Sequence, residues 1–214
     1  MNEMPLFPLD VVLFPGWPMP LNIFEPRYLE MIRYCVEEDQ PFGIVLIKQG
    51  NAEFDTAVQP CAVGCTVKVS QVEKLEDGRL LIVAIGQSRF RIEAVHRDKP
   101  YLVGDVVDFP FVDEDSSVLK TAVNDLHPLV VEYLTILADA NDNVQLDVTQ
   151  VPLDPEDLAY MACALLQAPL ETKQSLLEAK RISNVLKFLE SAYRHELQLL
   201  KRLPPQDNGA FSVN

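Results

Sequence analysis

Residues 67–94, VKVSQVEKLEDGRLLIVAIGQSRFRIEA, decide the fold class. Val67 and Val69 alternate with Lys68 and Ser70, the period of a strand with one buried face. Glu76-Asp77-Gly78-Arg79 supplies a hairpin turn in which Asp-Gly tolerates positive φ, and Leu80 to Ile85 reads as the return strand. Past Gly86, Arg89-Phe90-Arg91-Ile92-Glu93-Ala94 alternates charged with apolar residues. That alternation predicts that Phe90, Ile92 and Ala94 face the core.

The same logic extends in both directions. The first 24 residues, MNEMPLFPLDVVLFPGWPMPLNIF, interrupt apolar runs with Pro5, Pro8, Pro15, Pro18 and Pro20. Proline cannot donate to a sheet ladder, so short strands at edges or bends are expected. Glu25-Pro26 opens a helix to about Glu38, since proline at the first helical position removes an N–H that has no partner there. Phe42 to Ile47 (FGIVLI) is a continuous apolar run bounded by Pro41 and Gly50, the pattern of a strand covered on both faces. A last strand runs through Tyr101, Val103, Val106 and Phe109. About six strands and one helix in residues 4–109 imply a closed or half-closed mixed barrel rather than a doubly wound sheet.

From about Asp113 the period becomes helical. Leu119, Val123, Leu126, Val130, Leu134 and Leu137 share one helix face, with Pro128 expected to kink or restart the helix. Asp154-Pro155-Glu156-Asp157 starts another helix, with Asp as N-cap and acids at the positive dipole end. A short helix from Glu171 to Glu178 precedes a long one carrying Ile182, Val185, Leu186, Leu189, Tyr193, Leu197 and Leu200. The expected class is α+β: a barrel subdomain over 1–112, a helical bundle over 113–203 and a disordered tail over 204–214.

Charge is distributed unevenly. Of 214 residues, Lys+Arg account for 18 and Asp+Glu for 32, a formal net charge of -14. Residues 1–107 hold 15 acids and 10 bases, 108–172 hold 13 acids and the single base Lys120, and 173–214 hold 4 acids and 7 bases. Such a balance repels phosphates, which argues against nonspecific binding to nucleic acid or anionic membrane. Every apolar run stops well short of the roughly 18 to 20 residues a bilayer needs. The N-terminus has no basic n-region, and Cys35, Cys61, Cys65 and Cys163 form no dense disulfide framework, so a cytoplasmic setting is expected.

Several motifs are similar to the N-terminal, substrate-binding domain of the Lon protease family, in particular to small bacterial proteins that consist of this domain alone. The resemblance is carried by Pro5-Leu6-Phe7-Pro8-Leu9, Val12-Leu13-Phe14-Pro15-Gly16, Pro20-Leu21 and Ile23-Phe24-Glu25-Pro26-Arg27-Tyr28. It continues through Phe42-Gly43-Ile44-Val45-Leu46, Val63-Gly64-Cys65-Thr66, Asp77-Gly78-Arg79, Gly86-Gln87-Ser88-Arg89-Phe90-Arg91-Ile92 and Lys173-Gln174-Ser175-Leu176-Leu177-Glu178, roughly residues 4–202. It implies a PUA-like β-barrel followed by a helical bundle, and a role in substrate recognition and assembly. The family's ATPase and peptidase lie elsewhere in the full protease, and no G-x-x-x-x-G-K-[ST] phosphate loop occurs in this sequence.

Catalytic chemistry finds little support among the residues. Ser175 with Lys173 or Lys180, and Ser183 with Lys187, fall on helices away from any glycine-rich turn that would build an oxyanion hole. His96, His127 and His195 are far apart, and read as strand end, helix-kink cap and solvated helix face. Cys61 and Cys65, about 13 Å apart if extended, are too distant for a disulfide and too few for a zinc site. Asp113-Glu114-Asp115 lacks the spaced ligands of a calcium loop and reads as a solvated linker and helix start. No catalytic residue, metal or cofactor is therefore assigned.

The binding candidates are Phe14, Trp17, Met19, Arg27 and Tyr28. Phe14 to Met19 place the only Trp and a Met in a proline-stiffened segment, which loses little entropy on docking, although Trp17 also suits a cap on the barrel. Arg27 either pairs with an acid inside the fold or faces a groove between the halves. The expected function is a non-catalytic peptide- or protein-recognition or adaptor module for unfolded or tagged polypeptide segments, or for another protein. An RNA-binding PUA-like protein and an uncharacterised hydrolase are the alternatives. The sequence leaves the oligomeric state open, a weak homodimer included.

Overall fold

Five strands close on one another in the order β1-β7-β6-β5-β3 and back to β1. They are β1 (Asn2–Leu9), β3 (Phe42–Gln49), β5 (Val63–Lys74), β6 (Leu80–His96) and β7 (Leu102–Asp108). β2 (Pro18–Ile23) lies along β6, β4 (Gln59–Pro60) lies beside β3, and helix α1 (Pro26–Glu37) follows β2. The computed structural model describes residues 2–49, 58–139 and 148–202. The expected tail over 204–214 and the boundary at Gly50 lie outside those residues.

Two elements differ from the sequence reading. β1 is no edge strand: it runs antiparallel to β7 from Asn2 to Leu6 and parallel to β3 from Leu6 to Leu9. The two pairings overlap only at Leu6, so Pro5 and Pro8 each stand where one side alone is laddered and a missing donor goes unnoticed. β6 is one strand of 17 residues, not two separated at Gly86. A Cβ on Gly86 would come within 2.4 Å of the Phe14 carbonyl oxygen, so this glycine permits a close backbone approach within the strand.

The alternation along β6 also breaks. Phe90 is buried and Ile92 partly so, but Ala94 is exposed, because the register with β7 shifts between Ile92 and Ala94. Arg89, expected on the wet face, is only 3% exposed. The reason is tertiary: the second face of the strand is covered at this point by the helical half.

That half comprises α2 (Ser116–Asp139), a short 3-10 turn (Val148–Gln150), α3 (Pro155–Leu165), α4 (Leu170–Leu177) and α5 (Ile182–Leu200). Pro128 lies inside α2, which is assigned as one continuous helix rather than restarting. Asp154 caps α3 by accepting from the amides of Glu156 at 2.9 Å and Asp157 at 3.2 Å. The bundle core of Leu126, Leu158, Leu186, Leu189 and Tyr193 is continuous with Val12, Phe14, Leu46 and Val63 of the barrel. Gln174 of α4 donates to the Val63 carbonyl at 2.9 Å across this junction. Two further cores lie in the β-rich half: Phe7, Phe42, Ile44, Val67 and Ile82 pack with Ile32 of α1, and Leu6, Val45, Phe90 and Val106 form the other.

Candidate functional site

The candidate binding surface grows out of β2. The Trp17 carbonyl accepts from the Gly86 amide at 3.1 Å, and the strand pairs with β6 from Pro18 opposite Ile85 to Ile23 opposite Leu80. Backbone groups alternate along a strand, so Met19, Leu21 and Ile23 bond to β6 while Pro18, Pro20 and Asn22 point away from it. Among the described residues β2 has no second neighbour. Proline tolerates this edge because the donor it lacks would have faced solvent.

Where β2 ends, the chain leaves the sheet and Phe24 is carried to the surface, 58% exposed, one residue after buried Ile23. It sits at a groove of about 430 Å³ lined by Phe7, Leu9, Leu21, Ile23, Tyr28 and Ile47, with Asp10, Asn22 and Glu25 among its polar groups. A second groove of about 410 Å³ lies over the outer face of β2, β5 and β6, lined by Pro20, Leu21, Val72, Leu81 and Val83, and by Gln71, Asn22 and Glu73. The two share Leu21 and Asn22 and so form one strip across β2. Val72 at 48% and Leu81 at 38% exposure make its far end apolar. Contiguous exposed apolar surface of this kind marks an interaction site more often than isolated residues do.

The five residues singled out from sequence are dispersed by the fold. Phe14 is 2% exposed and belongs to the bundle core, so its ring offers no surface to a ligand. Trp17 and Met19 are half-buried against the barrel core and line neither groove. Arg27 bonds to Glu25 at 2.6 Å and lies 4.6 Å from the Tyr28 ring centroid. Tyr28 is buried against Phe7, ring centroids 4.2 Å apart, and contributes the floor of the first groove. Burial pushes its hydroxyl pKa up, opposed by the adjacent Arg27. Phe24, Val72 and Leu81, which line the candidate strip, were not singled out from the sequence. For Phe24 the signal was present, since the pleat that buries Ile23 turns its neighbour outward.

The polar groups weighed for catalysis are engaged structurally. Ser175 Oγ donates to the Glu171 carbonyl at 2.8 Å, and Lys173 Nζ donates to the Ala164 carbonyl at 3.0 Å. Ser183 donates its hydroxyl and its amide to Glu114, so that this carboxylate caps α5 instead of standing in a solvated linker. Burial pushes the thiols up, Cys35 to about 11 and Cys65 and Cys163 to about 12, away from the range of reactive cysteines. Among the described residues no group of three His, Cys, Asp or Glu is placed to hold a metal ion, and no helix is long and apolar enough to cross a membrane.

This barrel-plus-bundle fold is shared with proteins of known class. Residues 3–191 match the family model for the ATP-dependent protease La (LON) substrate-binding domain, and the chain belongs to that family. It is 27% identical over 195 residues to Lon protease 1 of Hydrogenovibrio crunogenus, covering 90% of this chain and 23% of the relative. It is 26% identical to the Lon protease of Anaeromyxobacter dehalogenans, covering 92% of this chain and 24% of that one. The chain thus spans about a quarter of the length of these curated relatives. A Lon N-terminal domain protein from Xanthomonas campestris has the same fold, with TM-score 0.62, 24% identity and coverage of 95% of this chain and 100% of its own. So does the N-terminal domain of Mycobacterium avium complex Lon protease, with TM-score 0.69, 18% identity and coverage of 90% and 98%.

Proposed function

We propose that this chain is a non-catalytic polypeptide-recognition or adaptor module of the cytoplasm, with a barrel subdomain over 1–112 and a bundle subdomain over 113–203. Its ligand is an exposed apolar segment of an unfolded or tagged protein, or of another protein. The observation that carries this reading is Phe24, a large aromatic held out of the core beside a groove that continues over β2. Rigid strands on either side of the groove keep the ordering cost of binding low. Membership in a substrate-binding domain family supports the choice of polypeptide over small molecule. The protease activity in the relatives' names is attached to proteins of which only about a quarter aligns here, and we assign this chain no part in bond cleavage.

A panel of fluorescent apolar peptides, titrated against the wild type and Phe24→Ser, tests the assignment. Selective binding that falls about tenfold or more in the variant is expected, the scale of losing one well-buried aromatic contact. Absence of binding by every peptide, with the protein folded, contradicts it.

A further inference from the structure

The strip across β2 has an uneven polar chemistry. Its outward backbone groups are the carbonyls of Pro18, Pro20 and Asn22 and a single amide, that of Asn22, because the two prolines have no N–H. The edge therefore accepts hydrogen bonds far more than it donates them. The side chains that line the two grooves repeat this bias: three carboxylates, Asp10, Glu25 and Glu73, and no Lys, Arg or His. Glu25 is held by Arg27 at 2.6 Å. Asp10 and Glu73 are both exposed, one in each groove, and neither enters an ion pair among the described residues.

An edge that accepts, flanked by carboxylates and floored by Phe7, Leu21, Ile23 and Leu81, complements a ligand that donates and carries positive charge beside apolar anchors. We propose that the strip selects extended polypeptide segments whose apolar anchors are flanked by Lys or Arg. Phe24 and Leu81 contact the anchors, while the flanking cations face Asp10, Glu73 and the β2 carbonyls. Strand addition is not the main mode, since a partner strand would find only one donor along the edge. This selectivity rests on the polypeptide-binding reading above and adds to it the charge of the ligand.

The probes are three labelled peptides with the common core Phe-Leu-Val-Leu-Phe, flanked by Arg-Lys, Gly-Ser or Glu-Asp pairs, titrated at low and high salt. The Arg-Lys peptide is expected to bind at least about fivefold tighter than the Glu-Asp peptide at low salt, the scale of two exposed ion pairs, with the ratio shrinking as salt rises. Replacing Asp10→Asn together with Glu73→Gln is expected to abolish that ratio, measured against the Gly-Ser peptide's affinity for the same variant. Both positions are exposed, so the variant folds, as circular dichroism will verify. Equal binding of all three peptides, preference for the Glu-Asp peptide, or a preference unchanged in the variant overturns the selectivity and leaves the recognition reading standing. Failure of every peptide overturns both. Sedimentation showing the strip buried between two copies of the chain, abolished by Phe24→Ser, also overturns it.

Discussion

The Arg89 guanidinium carbon lies 3.6 Å from the centroid of the Phe111 ring. Nη1 of the same side chain donates to the carbonyls of Leu177 at 2.9 Å and Ala179 at 2.7 Å, placing a cation at the C-terminal end of α4 where the helix dipole favours it. Phe111 stacks in turn on Tyr160 of α3, centroids 5.8 Å apart. One β6 residue thereby joins strand, linker and two helices. Arg89→Met leaves the buried Leu177 carbonyl and the part-buried Ala179 carbonyl without their donor and is expected to cost about 2–4 kcal/mol, with Arg89→Lys intermediate because it keeps charge but not the planar stack. Urea unfolding checks this; a loss under about 0.5 kcal/mol would show that the junction does not depend on it.

Gly86 faces the Phe14 carbonyl at a distance that leaves no room for a methyl group. Gly86→Ala must push β6 away from the segment leading into β2, at a cost of about 1–3 kcal/mol. A lowered urea midpoint is the expected result, with weaker peptide binding following from displacement of β2.

His96 Nε2 stands 3.0 Å from Asp105 Oδ2, and that hydrogen bond and charge raise the imidazole pKa above its ordinary 6.5. Protonated His96 therefore favours the folded state fully below pH 6.5, and the contribution is lost as pH rises through the folded value. NMR titration should give His96 a higher pKa in the wild type than in Asp105→Asn. An unchanged midpoint in Asp105→Asn would remove the pair as the cause.

The α3 cap offers a test in the other half. Asp154→Ala frees the amides of Glu156 and Asp157 and is expected to lower stability by about 1 kcal/mol, seen as a lower melting temperature, with Asp154→Ser recovering most of it.

Thiol labelling at pH 8 should distinguish the cysteines. Cys35, Cys65 and Cys163 are buried with elevated pKa values, whereas Cys61 is only partly buried. Slow modification of Cys61 alone is expected in the folded protein and modification of all four in denaturant; rapid labelling of Cys65 would contradict the packing described for the barrel.

Local pattern was sufficient where one residue's neighbours along the chain decide its environment. The Asp77-Gly78 hairpin, with Gly78 at φ +88, the Pro26 helix start and the Asp154 cap are all of this kind. It misled where a second layer intervenes. Alternation placed Arg89 in solvent because one wet face was assumed, and the bundle covers that face. Phe14 read as part of a stiff binding segment, yet its ring is buried in the core that the bundle shares with Val12, Leu46 and Val63. Phe24 passed unnoticed because its exposure depends on where β2 stops and α1 begins.

By itself the sequence determined the α+β class, the order of a β-rich half and a helical half, the uneven charge and the family, because periodicity, capping and motif residues act over short spans. Only the tertiary structure decided that the barrel closes through β1, that β6 is continuous, and that Phe24 stands exposed where β2 ends. Those outcomes depend on which faces meet: a side chain's exposure is set by residues distant in the chain, such as Leu177 over Arg89 or Gly86 beneath Phe14.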